Sequence, residues 1–134
     1  MKNNAKRVSV LAAILVMITG IVQAADVSYV NGRNAGDEGT PFSGAVMVDD
    51  TLYVSGALGI VNGKVPEDPA DEARAVLDSI KGTIEDAGMT MDDIVVVQIF
   101  CSDVSTYGAF NDVYRTYFTK TYPARAFIGS GPLL

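Results

Sequence analysis

Histidine is absent from this chain of 134 residues, and cysteine occurs once, at Cys101. The first lack excludes a Ser-His-Asp triad, and the two together exclude a zinc site of the ordinary kind. A lone cysteine can form no disulfide within the chain. Cys101 sits in an apolar run, where a small buried hydrophobe is the expectation, and no cation stands near it in sequence to activate a thiol. There is no Walker loop, no G-x-G-x-x-G after a strand, and no acidic pair set apart by its spacing. Basic residues are scarce as well, ten Lys+Arg against 16 Asp+Glu. That balance argues against nucleic acid or an anionic membrane as a partner, both of which call for a basic patch. A small anionic ligand stays compatible, because one local arginine can override the mean field.

The N-terminus has the layout of a secretory signal peptide. Lys2, Lys6 and Arg7 precede an apolar run, Val8–Val22, and Val22-Gln23-Ala24 supplies a cleavage site, which predicts a mature chain starting at Ala25. The alternative is a retained anchor, but the run falls short of the ~20 apolar residues that a span needs and is interrupted by Ser9, Thr19 and Gly20. The exported product is expected to be periplasmic or secreted and free of the membrane. Without those three basic residues, the ten Lys+Arg fall to seven against the same 16 acids, a net charge of −9.

Residues 25–40 read as an irregular lead-in with turn signals at Asn31-Gly32 and Gly36–Gly39 and room for a short strand at Val27–Val30. The domain proper is expected over 41–134. Ala45–Val48, Asp49-Asp50 and Thr51–Ser55 read as a hairpin. Asp68 and Pro69 open a helix that Ala87-Gly88 closes, with Ala73, Val76, Leu77, Ile80 and Ile84 as its apolar stripe. Ile94–Cys101 is continuous enough in apolar residues to predict a strand buried on both faces. A second helix is expected over about Thr106–Thr121, with Phe110, Val113, Tyr114, Tyr117 and Phe118 facing the core, and a last strand over Ala124–Ile128. The order is β-β-α-β-α-β, an α+β arrangement with two helices on one face of a mixed sheet. A further strand would be expected after Leu134 to fill that sheet.

Arg125 is the leading candidate for chemistry. It is an always-charged group inside the strand-like run Tyr122-Pro-Ala-Arg-Ala-Phe-Ile128, costly to bury without a partner and shaped for a carboxylate held by two parallel hydrogen bonds. The small neighbours Ala124 and Ala126 suggest space beside it for a ligand. Ser55-Gly56 follows as a hydroxyl next to a backbone that a ligand can approach closely, and Asn111 on the second helix is a third polar candidate. An exposed strand arginine, a strand-ending turn and a solvent-facing helix residue are the plain alternatives for the three.

Pro41-Phe-Ser-Gly-Ala-Val, Leu52-Tyr-Val-Ser-Gly56, Ala73-Arg-Ala-Val-Leu-Asp-Ser-Ile80, Asp93-Ile-Val and Tyr122-Pro-Ala-Arg-Ala126, in this order and spacing, resemble the Rid (reactive intermediate deaminase, YjgF-like) family, often labelled endoribonuclease L-PSP. The resemblance covers about Pro41–Leu134. It implies a chorismate-mutase-like fold, a homotrimer with sites between subunits, and neither metal nor organic cofactor. It also implies that Arg125 clamps the carboxylate of a 2-imino or 2-enamino acid while water releases ammonia. Ser55, Gly56 and Asn111 match positions at that pocket. Phe42 stands where many members have a tyrosine and Phe127 where a cysteine is frequent, and the family's acidic residue on the final strand would follow Leu134. These departures leave a non-catalytic trimeric binder of small carboxylates as the alternative. The acidic charge and the missing histidine count against a literal ribonuclease.

Overall fold

The structure, a computed structural model, describes residues 24–133, so the expected signal segment up to Gln23 lies outside the described residues. Among the described residues, five strands and two α-helices follow one another: β1 (Val27–Val30), β2 (Ala45–Val48), β3 (Thr51–Val54), α1 (Pro69–Asp86), β4 (Val96–Cys101), α2 (Tyr107–Tyr114) and β5 (Ala124–Gly129). The lead-in does supply a strand, since β1 pairs antiparallel with β2, Val27 opposite Val48. Strands β2 and β3 form the expected hairpin. Asp49 turns it at a φ of 52°, a left-handed conformation that aspartate tolerates better than most residues.

Local chemistry sets the limits of α1. The Asp68 carboxylate accepts a hydrogen bond from the Ala70 amide at 2.8 Å, Pro69 occupies the first turn, and Gly88 past the end takes a φ of 78°. Its stripe buries Ala73, Leu77 and Ile84, which join Met91, Val113 and Tyr114 in the core. Leu52 and Val54 of β3 and Ile99 of β4 pack against the same cluster, so both sheets share one helical layer. The pairing is mixed, as expected, but is divided among the described residues into an antiparallel sheet β1-β2-β3 and a parallel pair β4-β5 bridged by α2.

Two elements differ from their sequence reading. Strand β4 is not buried on both faces. Val97, Ile99 and Cys101 turn inward, while Val96, Gln98 and Phe100 turn outward, Phe100 still 51% exposed. The outward row pairs with Ala124, Ala126 and Ile128 of β5 to make a second, largely apolar surface that the described residues leave open. Tyr29 and Tyr53 are exposed in the same way on the other sheet. Helix α2 is shorter than predicted: it ends at Tyr114 and tightens into a single 3₁₀ turn over Arg115–Tyr117. Beyond it the Asp92 carboxylate accepts hydrogen bonds from the Thr119 amide at 2.8 Å, the Lys120 amide at 3.2 Å and the Thr119 hydroxyl. Backbone donors that a longer helix would have used are taken by a side chain instead.

Candidate functional site: the Arg125 cluster

Strand alternation decides which way Arg125 points. In β5, Arg125 and Phe127 are partly buried toward α2, whereas Ala124 and Ala126 are exposed on the opposite face. The two alanines therefore do not make room beside the guanidinium, as their proximity in sequence suggested. Aromatic rings from α2 and β5 surround it instead. The guanidinium carbon lies 4.8 Å from the centre of the Tyr114 ring, 5.7 Å from Tyr107 and 5.8 Å from Phe127. Rings at that range attract a cation through their quadrupoles.

Polar partners are few. Arg125 Nη2 donates to the Tyr107 hydroxyl at 3.3 Å, and among the described residues the guanidinium enters no ion pair. Five donors in a fixed fork are thus left with one protein acceptor. Asn111, one turn after Tyr107 on α2, and the Arg125 charge hold the Tyr107 phenol below the usual tyrosine range, Asn111 having the larger effect. Tyr114 behaves in the opposite way. Burial pushes its phenol up, and its hydroxyl is buried without a hydrogen-bond partner among the described residues.

The remaining candidates fall into two groups. Asn111 and Phe127 belong to the Arg125 cluster. Phe127 stacks edge-on to Tyr107 at 4.9 Å and to Phe110 at 5.6 Å, which makes it a wall that fixes α2 over β5. Phe42, Ser55 and Gly56 lie on and beside the antiparallel sheet, and no hydrogen bond or ring contact among the described residues ties them to Arg125. The Ser55 hydroxyl donates to the Ser43 carbonyl at 2.7 Å, which commits its proton to the hairpin. Among the described residues, no atom beyond its chain neighbours lies within 4 Å of the place a Gly56 Cβ would occupy, so they leave open space there. Phe42 is 52% exposed.

Sequence reasoning did not single out Tyr107, and it assigned Tyr114 to the core alone. The signal was present: positions 107, 111 and 114 share a face of one helix, and a helix bridging two parallel strands lays one face over them. An open cleft between α1 and α2 is a weaker candidate. Arg74 there pairs with Asp71, Lys81 with Glu85, and Tyr117 donates to Asp78 at 2.7 Å, so its polar groups already have partners. Among the described residues no cluster of His, Cys, Asp and Glu could hold a metal, and no helix is long and apolar enough to cross a membrane.

Comparison with known proteins agrees with this architecture. The family model described as Endoribonuclease L-PSP matches residues 33–133. Over 100 residues the chain is 32% identical to RutC family protein UK114 of Drosophila melanogaster, with 72% of each protein covered. Over 89 residues it is 38% identical to the 2-iminobutanoate/2-iminopropanoate deaminase of Capra hircus, covering 64% of this chain and 65% of that protein. Among solved structures, the Rid-family protein YyfA of Yersinia pestis superposes with a TM-score of 0.70 at 30% identity, over 81% of this chain and 89% of that one. With its sequence matched over residues 33–133 and its fold shared, the chain belongs to the Endoribonuclease L-PSP family, the Rid or YjgF-like proteins.

Proposed function

We propose that this protein is a hydrolytic deaminase of small 2-imino and 2-enamino acids. The observation that carries the reading is Arg125, a partly buried guanidinium set among aromatic rings with no carboxylate of its own among the described residues. A substrate carboxylate completes it through two parallel charge-assisted hydrogen bonds. An imine conjugated to that carboxylate is already electrophilic, so orientation of substrate and water is the main task left to the protein. Water adds to the imine carbon, the C–N bond breaks, the water's protons pass to nitrogen, and a 2-oxo acid and ammonia leave. An enamine enters the same route after tautomerising to the imine. A relative's name as a 2-iminobutanoate/2-iminopropanoate deaminase supports this substrate class.

The site is completed between copies of the chain in a homotrimer. The uncovered apolar faces of both sheets support that assembly, as does the separation of Phe42, Ser55 and Gly56 from the Arg125 cluster. Export follows from the N-terminal segment, and recovery of a soluble protein that begins at Ala25 tests it. The activity is tested by ammonia release from freshly generated 2-iminobutanoate, with Arg125→Ala as the control. Release at the same rate from both proteins would remove Arg125 from the mechanism.

A second reading, a trimeric carboxylate binder without turnover, has two observations in its favour. Phe42 carries no hydroxyl, and the Ser55 proton is directed at Ser43, so neither is set to order a water. Carboxylate binding by calorimetry without ammonia release selects this reading.

A further inference from the structure

An arginine side chain carries about 2 kcal/mol of rotamer entropy, and a clamp that must be ordered afresh for each ligand loses affinity by that route. Ring contacts alone do not fix the direction in which the guanidinium fork points. Of the rings around it, Tyr107 is the one whose hydroxyl, among the described residues, also accepts a hydrogen bond from the guanidinium. Its ring lies 5.7 Å from the guanidinium carbon, its hydroxyl accepts from Nη2 at 3.3 Å, and its edge-on contact with Phe127 fixes the ring itself. Asn111, four residues later, lies on the same helical face as that hydroxyl.

We propose that Tyr107 is the positioning residue of the Arg125 clamp: its hydroxyl takes one Nη2 donor and thereby turns the rest of the guanidinium fork toward the ligand carboxylate. The proposal rests on the reading of Arg125 as a carboxylate site. Tyr107 is 46% exposed and lies outside the buried core, so its hydroxyl can be removed without opening a cavity there. The device acts on ligand capture and leaves the chemical step alone. It therefore lowers KM, or the dissociation constant of a product-like carboxylate, with little change in kcat.

The test is calorimetric titration of 2-oxobutanoate into the full chain and its Tyr107→Phe variant, with steady-state deamination in parallel. Loss of one hydrogen bond to a charged group predicts binding weaker by roughly tenfold. KM should rise by a similar factor, kcat should stay within about twofold, and the melting temperature should hold. Tyr107→Leu, which also removes the ring, should weaken binding further. Binding by Tyr107→Phe within twofold of the wild type overturns the proposal, as does a fall in kcat at constant KM. A wild type that binds no carboxylate refutes the underlying reading, and the positioning role falls with it. A binder that Tyr107→Phe leaves unchanged refutes the positioning role alone.

Discussion

Phe100→Ala separates a chain that works alone from one that works in an assembly. An aromatic side chain buries roughly 150–250 Å² when it is fully covered. Phe100 is 51% exposed, and on that scale roughly 100 Å² of it stays in water, worth about 2.5 kcal/mol at ~25 cal/mol per Å² if a neighbouring copy covers it. In an isolated chain, only the covered half is lost on truncation, and the cost stays at about 2 kcal/mol. In a covered face, the loss reaches the ~3–5 kcal/mol typical of a buried Phe→Ala change. Leu77→Ala calibrates the scale. Leu77 is core in either state, 5% exposed, and its truncation should cost about 2–5 kcal/mol regardless of assembly. The measurement is calorimetric melting of both variants over a hundredfold range of protein concentration, with sedimentation to count copies. Wild type should sediment as a trimer with a melting temperature that rises with concentration, and Phe100→Ala should lower both the trimer population and the melting temperature. A wild type that sediments as a single chain, with a small concentration-independent loss for Phe100→Ala, refutes the reasoning.

Further consequences are local. Asp68→Ala removes the cap on the Ala70 amide and should cost about 0.5–2 kcal/mol in denaturant unfolding, with the m-value kept. Gly88→Ala puts a side chain at a φ of 78° and should cost about 1–2 kcal/mol by the same measurement. The Asp92 carboxyl is held below its ordinary value of 3.8, first by the Thr119 hydroxyl and then by the Thr119 amide. Because the folded value is the lower one, this stabilisation is full above pH 3.8 and is lost as pH falls through the folded value. Asp92→Asn should therefore lower stability at neutral pH and flatten the acid limb of a pH–stability curve, and an unchanged acid limb would assign acid unfolding to other groups.

The parts of the fold that were legible in sequence are those fixed by short-range chemistry. Asp68, Pro69 and Gly88 act within a turn or two of their own positions, so the limits of α1 could be read directly. The same holds for the β2–β3 hairpin, whose turn is two residues long. What could not be read depends on partners far along the chain. Asp92 captures Thr119 and Lys120 across 27 and 28 residues, and no local pattern announces that α2 must stop before them. The run Ile94–Cys101 looked doubly buried because apolar side chains occupy both faces, but composition does not say whether the second face is covered by the chain or by something outside it. The site divides along the same line. Arg125 stood out as a charge in an apolar strand, whereas Tyr107 resembled any other helix aromatic until the helix was placed over β5.

The other described arginines show how the surroundings of Arg125 differ from those of an arginine kept for the fold. Arg74 pairs with Asp71 at 2.7 Å and Arg115 with Asp112 at 2.8 Å, each three residues back in sequence, and Arg33 donates to the Glu38 carbonyl at 3.1 Å. An arginine kept for the fold thus finds an oxygen nearby in sequence, and in an acidic chain such oxygens are plentiful. Among the described residues, Arg125 has three rings and the hydroxyl of one of them. Rings hold a cation in place without neutralising it, and they leave the edge of the fork able to meet an anion. A carboxylate in place of Tyr107 would stabilise the strand arginine more, but it would compete with every incoming ligand for the same donors. The aromatic surround exchanges some stability for a charge that stays available. Tyr107→Glu should therefore abolish carboxylate binding while leaving the melting temperature equal or higher, and retained binding in that variant would refute the account of the rings.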